Sequence, residues 1–431
     1  MLLVFCQKIT PRLDYIFKHI FEVSLDIPVQ FTTKIDIFIA HNSIKMSYGK
    51  SPLGNEFFIQ STPLLFQQGL QDLKINVKTW KDHPCFFEVD EVSKIPFDVF
   101  AASFYLLSRY EEYELQIKDE EGRFLSENSL AVKHQFIDFP LIDFWTKSLF
   151  ELLQESYPDL KLPSSITPSF LPLIEVVRPY KYRQKSFFKN CVQWIQSLFS
   201  LNLWEVIELP LVILRIRKDP WDSFDQFIEI FKSTNFKPHF FFLFTKNSFI
   251  DRGISINNTA FKSLIKGVSD YFKVDLLASY NAHRNTKVLR KEQSDFKSLI
   301  HREVKSIRFA WGIKGANESY RNLLIHEIEN DFSMSYPDVI GYRASTAVPF
   351  YFYDIINELS TSLLIHPVVA QMSSLSSLPP KTAFSQLYSL ERDLILSKSI
   401  HCVCFNNQIL EYSSSNQALL QSFISYIESY D

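Results

Sequence analysis

Few side chains near the ends of the predicted strands could bind a cation or move a proton. Glu175 lies in the apolar run formed by residues 171–177, and its carboxylate could act as a general base. A single carboxylate at a strand end is, however, more often paired with a cation for structural reasons. Asn406 follows a late apolar run and could hydrogen-bond to a ligand, but a carboxamide does not titrate near neutral pH.

A second pair of candidates lies further along the chain. Arg343 could hold the carboxylate of a substrate, since guanidinium binds carboxylate through two parallel hydrogen bonds. The same geometry would suit an internal ion pair with Asp354, which is the structural alternative. We retain Glu175 and Arg343 as candidate catalytic residues, and Asp354 and Asn406 as candidate binding residues.

A cluster of His401, Cys402 and Cys404 suggests a metal site at first sight. In a strand, however, successive side chains point to opposite faces, so the two cysteines would share one face and His401 the other. We therefore expect buried thiols in a core strand. His366, which precedes a proline, is likewise expected to be a structural histidine.

Basic and aromatic residues alternate over residues 178–189, and an apolar helical pattern follows up to Trp204. Such a stretch is typical of a helix that lies on an anionic membrane surface, and we expect peripheral membrane contact through residues 178–204 as one possibility. The alternative is a solvated loop that leads into a core helix. Tyr180 could also stack on a sugar ring and is the third candidate binding residue.

The predicted strands and helices that position these groups follow one pattern before residue 157 and another after residue 165. Residues 2–5 predict a strand, and Thr10 followed by Pro11 predicts the start of a helix. Residues 35–40 and 56–59 indicate further strands, residues 98–110 and 140–153 indicate helices, and the charged end at residues 109–113 is expected to be a solvated surface of ion pairs. The prolines and serines of residues 157–165 indicate a linker.

Beyond the linker, apolar runs alternate with helical periods. Strands are predicted at residues 171–177, 238–244, 274–277, 304–309, 363–369 and 400–405, with helices between or after them. This alternation favours parallel strands covered by helices, with functional groups at the carboxyl ends of the strands. The predicted fold is α/β, with an N-terminal mixed α/β domain at residues 1–160 and a β/α barrel or doubly wound sheet at residues 166–431.

Composition excludes several classes of protein. The 45 basic and 48 acidic residues give a net charge of −3, so a nucleic-acid partner is not expected. With 9 glycines and no GxGxxG or GxxxxGK[ST] pattern, a phosphate-binding loop is not expected either. The 5 cysteines, a short apolar start and the lack of a long apolar segment lead us to expect a cytoplasmic protein.

Short stretches in order along the chain carry a family resemblance. They lie at residues 31–34, 45–50, 52–56, 95–98, 106–113, 217–222, 320–323, 331–334, 341–344 and 349–354. On these stretches the chain resembles bacterial polysaccharide deacetylase family proteins in which an uncharacterised N-terminal domain precedes a distorted β/α barrel. The resemblance implies that fold and a carbohydrate substrate.

The resemblance also shows where this chain departs from the family pattern. The paired first-strand aspartates fall on Glu175 and Val177, and a His-Pro pair that ligates metal falls on Leu277 and Ala278. A strand-end histidine falls on Phe309, the C-terminal histidine that acts as an acid falls on Asn406, and a late aspartate falls on Met372. Arg343 is kept.

These departures decide the expected function. The family uses a divalent metal ion such as Zn²⁺ to bring water toward a pKa of about 7, and Val177, Leu277 and Phe309 offer no lone pair to such an ion. We therefore expect no metal cofactor, and a catalytically inactive deacetylase-like protein of surface-polysaccharide metabolism that binds a glycan or a protein partner. The alternative is an active carbohydrate deacetylase or esterase that relies on Glu175 and Arg343.

Overall fold

The structure, a computed structural model, describes most of the chain. The described residues are 1–114, 118–120, 122–161, 169–184, 187–201, 203–246, 250–251, 253–283, 285–310, 312–313, 315–411 and 416–430. Residues 162–165 of the predicted linker lie outside the described residues. Strands and helices within the described part form a mixed α/β protein.

The strands, numbered along the chain, are β1 Leu2–Cys6, β2 Val29–Thr32, β3 Lys45–Gly49, β4 Phe57–Gln60, β5 Lys78–Trp80, β6 His83–Cys85, β7 Ser169–Val176, β8 His239–Leu243, β9 Lys273–Ala278, β10 Ser306–Phe309, β11 Asn330–Met334, β12 Phe350–Asp354, β13 Leu359–Pro367, β14 Ala370–Gln371 and β15 Ile400–Asn406.

The α-helices are α1 Pro11–Phe17, α2 Ile35–Ala40, α3 Val99–Leu107, α4 Glu111–Glu114, α5 Leu130–Lys133, α6 Leu141–Ser156, α7 Phe187–Phe199, α8 Leu203–Ile213, α9 Phe224–Lys232, α10 Thr259–Ser269, α11 Thr286–Ile300, α12 Ala316–Ile325, α13 Met372–Ser376, α14 Pro380–Arg392 and α15 Gln417–Glu428. A π-helical turn at Lys18–Ser24 continues α1, and short 3₁₀ turns occur at Pro63–Phe66, Ser126–Asn128, Tyr280–His283 and Asn407–Leu410.

The chain divides into two compact units. The first contains Met1–Phe170, Gly312–Ser374 and Gln386–Cys402, and the second contains Leu171–Trp311, Leu375–Ser385 and Val403–Asp431. The first unit thus holds all of residues 1–160 together with segments of the predicted C-terminal domain.

A parallel sheet of order β2-β1-β3-β4 forms the N-terminal part of the first unit. The predicted start of α1 is confirmed: the Thr10 hydroxyl accepts a hydrogen bond from the Leu13 backbone N–H at 3.2 Å, and Pro11 occupies the first turn. One face of α1 packs inward, where the ring of Phe17 stacks on Phe100 with centroids 3.8 Å apart.

Residues 35–40 form helix α2, so the strand predicted there is wrong. The alternating isoleucines suggested a half-buried strand, but Ile35, Ile37 and Ile39 are between 46% and 66% exposed and Phe38 alone is buried. Phe38 packs against Phe5, and the Lys45 ammonium donates to the carbonyls of residues 38, 39 and 41 at the end of the helix. These carbonyls lack partners within the helix, and a lysine near a helix C-terminus satisfies them.

Another part of the first unit is built around β13. Strand β11 runs parallel to β13, whereas β12, which the sequence did not predict as a strand, runs antiparallel to it. Gly341 follows in this region with φ of 146°, and a Cβ there would lie 2.3 Å from the Ile137 carbonyl oxygen. The backbone N–H of Tyr342 donates to that same carbonyl at 2.7 Å, which explains why a glycine is required.

The second unit carries the predicted parallel strands. Strands β7, β8, β9 and β10 are parallel neighbours in that order, and β15 lies beside β7. Strand β8, His239–Leu243, is almost completely buried, as the continuous apolar run after His239 predicts. The alternation of strands and helices therefore predicted the parallel strands β7 to β10 of this unit correctly.

A buried carboxylate holds α6 to a later segment of the first unit. Asp143 is 1% exposed and accepts hydrogen bonds from the Thr346 hydroxyl at 2.5 Å, the Ala347 backbone N–H at 3.1 Å and the Ser399 hydroxyl at 3.3 Å. Burial raises the pKa of Asp143 from 3.8 to about 7, although these hydrogen bonds oppose the rise. No cation is among these partners, so the carboxylate has no positive charge to offset its burial there.

The raised pKa of Asp143 makes stability depend on pH. Between about pH 4 and pH 7 the native protein keeps a proton that the unfolded chain releases, so the free energy of unfolding should fall as pH rises through this range. We expect Asp143→Asn to flatten this fall, by about 1.4 kcal/mol for each unit of pKa shift that is removed. Urea denaturation of both proteins at pH 5 and pH 8 measures the effect.

Asp14→Asn is the control for this measurement, because it removes a 37% exposed carboxylate from the same unit. The fall in stability should persist in the Asp14 variant. Equal pH dependence in the wild type and the Asp143 variant would contradict the assignment.

Candidate functional site

The carboxyl ends of the parallel strands in the second unit bring several predicted positions onto one face. Glu175 is in register with Phe241 on β8, which is in register with Asp275 on β9. Residues in register on neighbouring parallel strands point to the same side of the sheet, and every second residue does so along each strand. Leu277 and its partner Arg308 therefore share the face of Glu175.

Glu175 forms an ion pair with Arg308. The distance between Nε of Arg308 and Oε2 of Glu175 is 3.0 Å, and the two side chains are 2% and 18% exposed respectively. Burial raises the pKa of Glu175, while the Arg308 guanidinium opposes that rise. The Cys404 thiol lies 4.0 Å from the same carboxylate oxygen.

This ion pair requires the sheet to curve. Strands β8 and β9 lie between β7 and β10, so three strand spacings of about 4.8 Å separate the two backbones along the sheet. Side chains stand roughly perpendicular to a sheet, and on a flat one these two would not meet. The sheet therefore curves around the face that carries Glu175 and Arg308.

A second polar contact on the same face joins Asp275 to His239, which lies two residues before Phe241 on β8. His239 Nε2 lies 2.8 Å from Asp275 Oδ2, and both side chains are buried. Burial lowers the pKa of His239 even though Asp275 opposes that effect. The histidine is thus held in its neutral form, where it can donate one hydrogen bond to the aspartate.

The positions where the family resemblance places metal ligands do not fit a metal ion. Leu277 is fully buried on the face of Glu175, and Val177 follows the end of β7 with a half-buried side chain. Phe309 lies on the opposite face, in register with Ala278, and its ring stacks on His283 at 3.9 Å. Among the described residues, no three histidine, cysteine, aspartate or glutamate side chains are grouped so that they could hold a metal ion.

The loop after β7 is fixed by a buried carboxylate. Asp219, which is 2% exposed, accepts hydrogen bonds from the backbone N–H groups of Lys181, Tyr182 and Arg183 at 2.8 to 3.0 Å. Tyr180 lies within this loop and is 6% exposed, with the Arg183 guanidinium 5.1 Å from its ring centroid. Burial raises the pKa of Tyr180 to about 12. One face of the proposed sugar-stacking ring is therefore already covered by a cation.

Asn406 ends β15 and caps the turn that follows. Its side-chain oxygen accepts a hydrogen bond from the Gln408 backbone N–H at 3.1 Å, which is the usual role of an asparagine at the start of a helical turn. The next residue, Asn407, donates to the Arg178 carbonyl at 3.1 Å. Both asparagines thus position the loops around the strand ends.

Arg343 does not pair with Asp354, so the structural ion pair expected from the sequence is wrong. Its guanidinium donates to both carboxylate oxygens of Glu112, each at 2.9 Å, and to the Ser335 carbonyl at 3.0 Å. Arg343 is 3% exposed. Burial alone would raise the pKa of Glu112, but the charges of Arg343 and Arg109 hold it at about 2.

Asp354 is paired with another arginine in the same unit. The Arg321 guanidinium binds both of its carboxylate oxygens at 2.6 and 2.7 Å, and the backbone N–H groups of Ile356 and Asn357 also donate to it at 3.1 Å. Burial would raise the pKa of Asp354, but these partners lower it. The arrangement closes the turn between β12 and β13.

Residues 109–113 do not form the solvated surface that the sequence suggested. Arg109 and Glu111 are 3% and 5% exposed and lie 2.7 Å apart, and Arg109 also binds Glu112 at 2.9 Å and the Tyr336 hydroxyl at 3.1 Å. The sequence shows only adjacent charges, which are usually exposed. Their burial depends on Tyr336 and Arg343, which lie more than 220 residues away in the sequence.

The late cysteine and histidine cluster is buried, as expected. Cys402 and Cys404 are at most 1% exposed, and His401 is 1% exposed. Burial lowers the pKa of His401 to about 3 and raises that of Cys404 to about 12, so the imidazole and the thiol stay neutral. His366 stacks on Phe332 at 4.2 Å and lies 2.9 Å from the Asn330 side-chain oxygen.

Sequence reasoning missed Arg308, His239 and Asp275 as members of the strand-end face. The available signal was the placement of ionisable residues at alternate positions within otherwise apolar strands. Opposite charges at such positions indicate buried pairs, because an ionised side chain rarely stays buried alone. Glu112 lies in a charged stretch and not within an apolar strand, so this pattern does not single it out.

Comparisons with known proteins add one family and several weak likenesses. A family of unknown function, DUF7033, matches residues 2–158, and no curated protein matches the chain. A protein from Mycobacterium smegmatis assigned to the polysaccharide deacetylases has a TM-score of 0.38 at 9% identity, with 63% of this chain and 86% of that chain covered.

Two Bacillus structures are similar at a lower level. The polysaccharide deacetylase of Bacillus cereus has a TM-score of 0.30 at 11% identity over 61% of this chain and 88% of its own. A CE4 family pseudoenzyme from Bacillus anthracis has a TM-score of 0.30 at 11% identity over 64% of this chain and 75% of its own. Likenesses at this level do not establish the function of the chain.

The Glu175 and Arg308 pair makes a prediction about stability. Arg308→Met leaves the carboxylate largely buried without this counter-charge, and we expect a loss of about 3 kcal/mol in the free energy of unfolding. The double variant Glu175→Gln, Arg308→Met should regain much of that loss, because neither charge remains. Urea denaturation followed by circular dichroism measures both values.

Lys297→Met serves as the matched control, since it breaks an exposed pair with Glu303 in the same unit. That change should cost less than about 1 kcal/mol. A double variant as unstable as Arg308→Met alone would show that the two side chains do not act as a pair.

Proposed function

We propose that this chain is a polysaccharide-deacetylase-like protein that binds a glycan or a protein partner and does not hydrolyse acetyl groups by the metal-dependent route. Its second unit would then be a distorted β/α barrel of the deacetylase type, and its role would lie in surface-polysaccharide metabolism. The family resemblance of the sequence motifs supports the deacetylase-like part of this proposal.

The proposed lack of metal-dependent hydrolysis rests on the 3.0 Å ion pair between Glu175 and Arg308. A carboxylate that is to accept a proton or bind a divalent ion must offer its charge to that partner. Here a guanidinium, which cannot be deprotonated in proteins, already holds the carboxylate. Leu277 contributes hydrocarbon to the same face, where an ion would need a lone pair.

The alternative, an active hydrolase that uses Glu175 and Arg343, gains no support from the contacts of Arg343. Its guanidinium donates two hydrogen bonds to Glu112 and a third to the Ser335 backbone carbonyl. A substrate carboxylate would have to displace the buried Glu112 from Arg343, which would leave Glu112 with only one of its two cations.

A cytoplasmic location belongs to the same proposal. All five cysteines are free, four of them buried, which suits a reducing compartment. None of the helices among the described residues combines the length and apolar character needed to span a bilayer.

Incubation of the purified protein with N-acetylated oligosaccharides and added Zn²⁺ or Co²⁺ tests the proposal. We expect acetate release no greater than that of the Glu175→Gln variant, because the carboxylate is already paired. Calorimetric titration of Zn²⁺ into the same protein should give no stoichiometric binding. Metal-dependent release of acetate that the Glu175 variant lacks would overturn the proposal in favour of an active deacetylase.

A further inference from the structure

Helices α7 and α8 form a hairpin in the second unit with many large apolar side chains in water. These side chains are Val192, Trp194, Ile195, Leu198, Phe199, Leu201, Leu203, Trp204, Ile207, Ile213, Leu214 and Ile216, with exposed fractions between 36% and 86%. A soluble protein rarely exposes so many neighbouring apolar residues without a partner for them.

The tip of the hairpin is its most exposed part. Phe199 is 86% exposed, Leu201 is 80% exposed and Leu203 is 69% exposed, and Trp204 follows at 55%. Leu201 has φ of 55°, a left-handed conformation that leucine seldom adopts. The tip thus presents four large apolar residues within a span of six.

The two glutamates of the hairpin are held by hydrogen bonds to nearby polar side chains. Glu205 accepts hydrogen bonds from Gln193 at 2.7 Å and Ser197 at 2.8 Å, both on α7, and Glu208 is 3% exposed and accepts one from the Tyr182 hydroxyl at 3.0 Å. A helical hairpin in water normally buries its apolar stripe and exposes its charges. This one leaves twelve large apolar side chains exposed and buries Glu208.

A proline and a tryptophan hold the two helices together. Pro210 lies inside α8 and has no N–H to donate to the carbonyl of Val206 one turn earlier. The Trp194 indole N–H of α7 donates to that Val206 carbonyl instead, at 2.9 Å. The inverted hairpin is therefore a defined structure with satisfied polar groups.

The exposed charges beside the apolar surface are positive. In residues 190–217, with Asn202 set aside, the exposed charged side chains are Arg215 and Arg217. The Arg217 guanidinium lies 4.9 Å from the centroid of the Trp204 ring, beside the tip. An apolar surface with a cationic edge complements a layer of anionic lipid headgroups over an acyl interior.

The exposed fractions bear on the core-helix alternative that the sequence left open. A solvated loop leading into a core helix would bury the apolar residues that follow it, yet Ile195, Leu198 and Phe199 are 47%, 41% and 86% exposed. The core-helix alternative is therefore wrong for these residues. Helix α7, with 13 residues, is about 20 Å long and too short to cross a bilayer.

We propose that the α7 and α8 hairpin binds an anionic lipid surface, with Phe199, Leu201, Leu203 and Trp204 inserted at the level of the headgroups and upper acyl chains. Arg215 and Arg217 then contact the phosphates. This docking does not depend on whether Glu175 is catalytic. The proposal therefore holds whether or not the protein hydrolyses a glycan.

Co-sedimentation of the full-length protein with vesicles tests the proposal. We expect binding to vesicles of equimolar phosphatidylcholine and phosphatidylglycerol, weaker binding to phosphatidylcholine alone, and a decrease as salt rises, because salt screens exposed charges. The double variant Phe199→Asp, Leu201→Asp should lower the partition coefficient about tenfold or more, since charged side chains resist insertion. Arg215→Gln with Arg217→Gln should remove the preference for phosphatidylglycerol.

Ile325→Asp is the matched control, because Ile325 is a 67% exposed apolar residue in the first unit. Its vesicle binding should equal that of the wild type, and circular dichroism should show equal helix content in all variants. Lack of binding to either vesicle would overturn the proposal, as would binding that the tip variant leaves unchanged. A dimer in analytical ultracentrifugation that the tip variant abolishes, without vesicle binding, would assign the surface to a second copy of the chain.

Discussion

Buried guanidinium groups need buried carboxylates, and this requirement organises both units of the protein. Arginine stays charged inside a protein, so an arginine that leaves water must meet an acidic partner or many acceptors. Arg12 is fully buried against Glu358, with Phe104 beneath its guanidinium at 5.3 Å. The pairs of Glu112 and of Glu175 obey the same rule. Several acidic side chains that could have supported chemistry are thereby committed to the fold.

The sequence predicted elements whose signals are local and missed contacts that depend on distant partners. Thr10 and Pro11 set the start of α1, because the cap and the fixed φ of proline act within one turn. Helix α2 was missed, because alternating isoleucines mimic a strand when only Phe38 is buried. The partner of Arg343 lies 231 residues away, and nothing in the spacing distinguishes Glu112 from Asp354. Charge pairing of this kind follows from packing and could not be read from one sequence.

The hairpin shows a different limit of sequence reasoning. Apolar residues at helical spacing predict an amphipathic helix, but they do not tell whether the apolar side meets a protein core or a membrane. The decisive facts are the partners of the polar residues. Glu205 and Glu208 find donors between and beneath the helices, so the apolar residues remain outside. Two carboxylates therefore orient the hairpin.

One carboxylate connects the hairpin to the strand-end face. The chain leaves β7 just beyond Glu175, passes through residues 177–183, forms the hairpin, and returns at Asp219. Because Asp219 binds the backbone of residues 181–183, the entry and the exit of the hairpin are fastened at one point beside the end of β7. The Trp221 indole and the Lys181 ammonium each bind Glu411 at 2.9 Å. These contacts also attach both ends of the hairpin to the segment that precedes α15. A lipid surface bound by the hairpin would therefore lie at a defined distance from the strand ends, because little freedom remains in the connection between them.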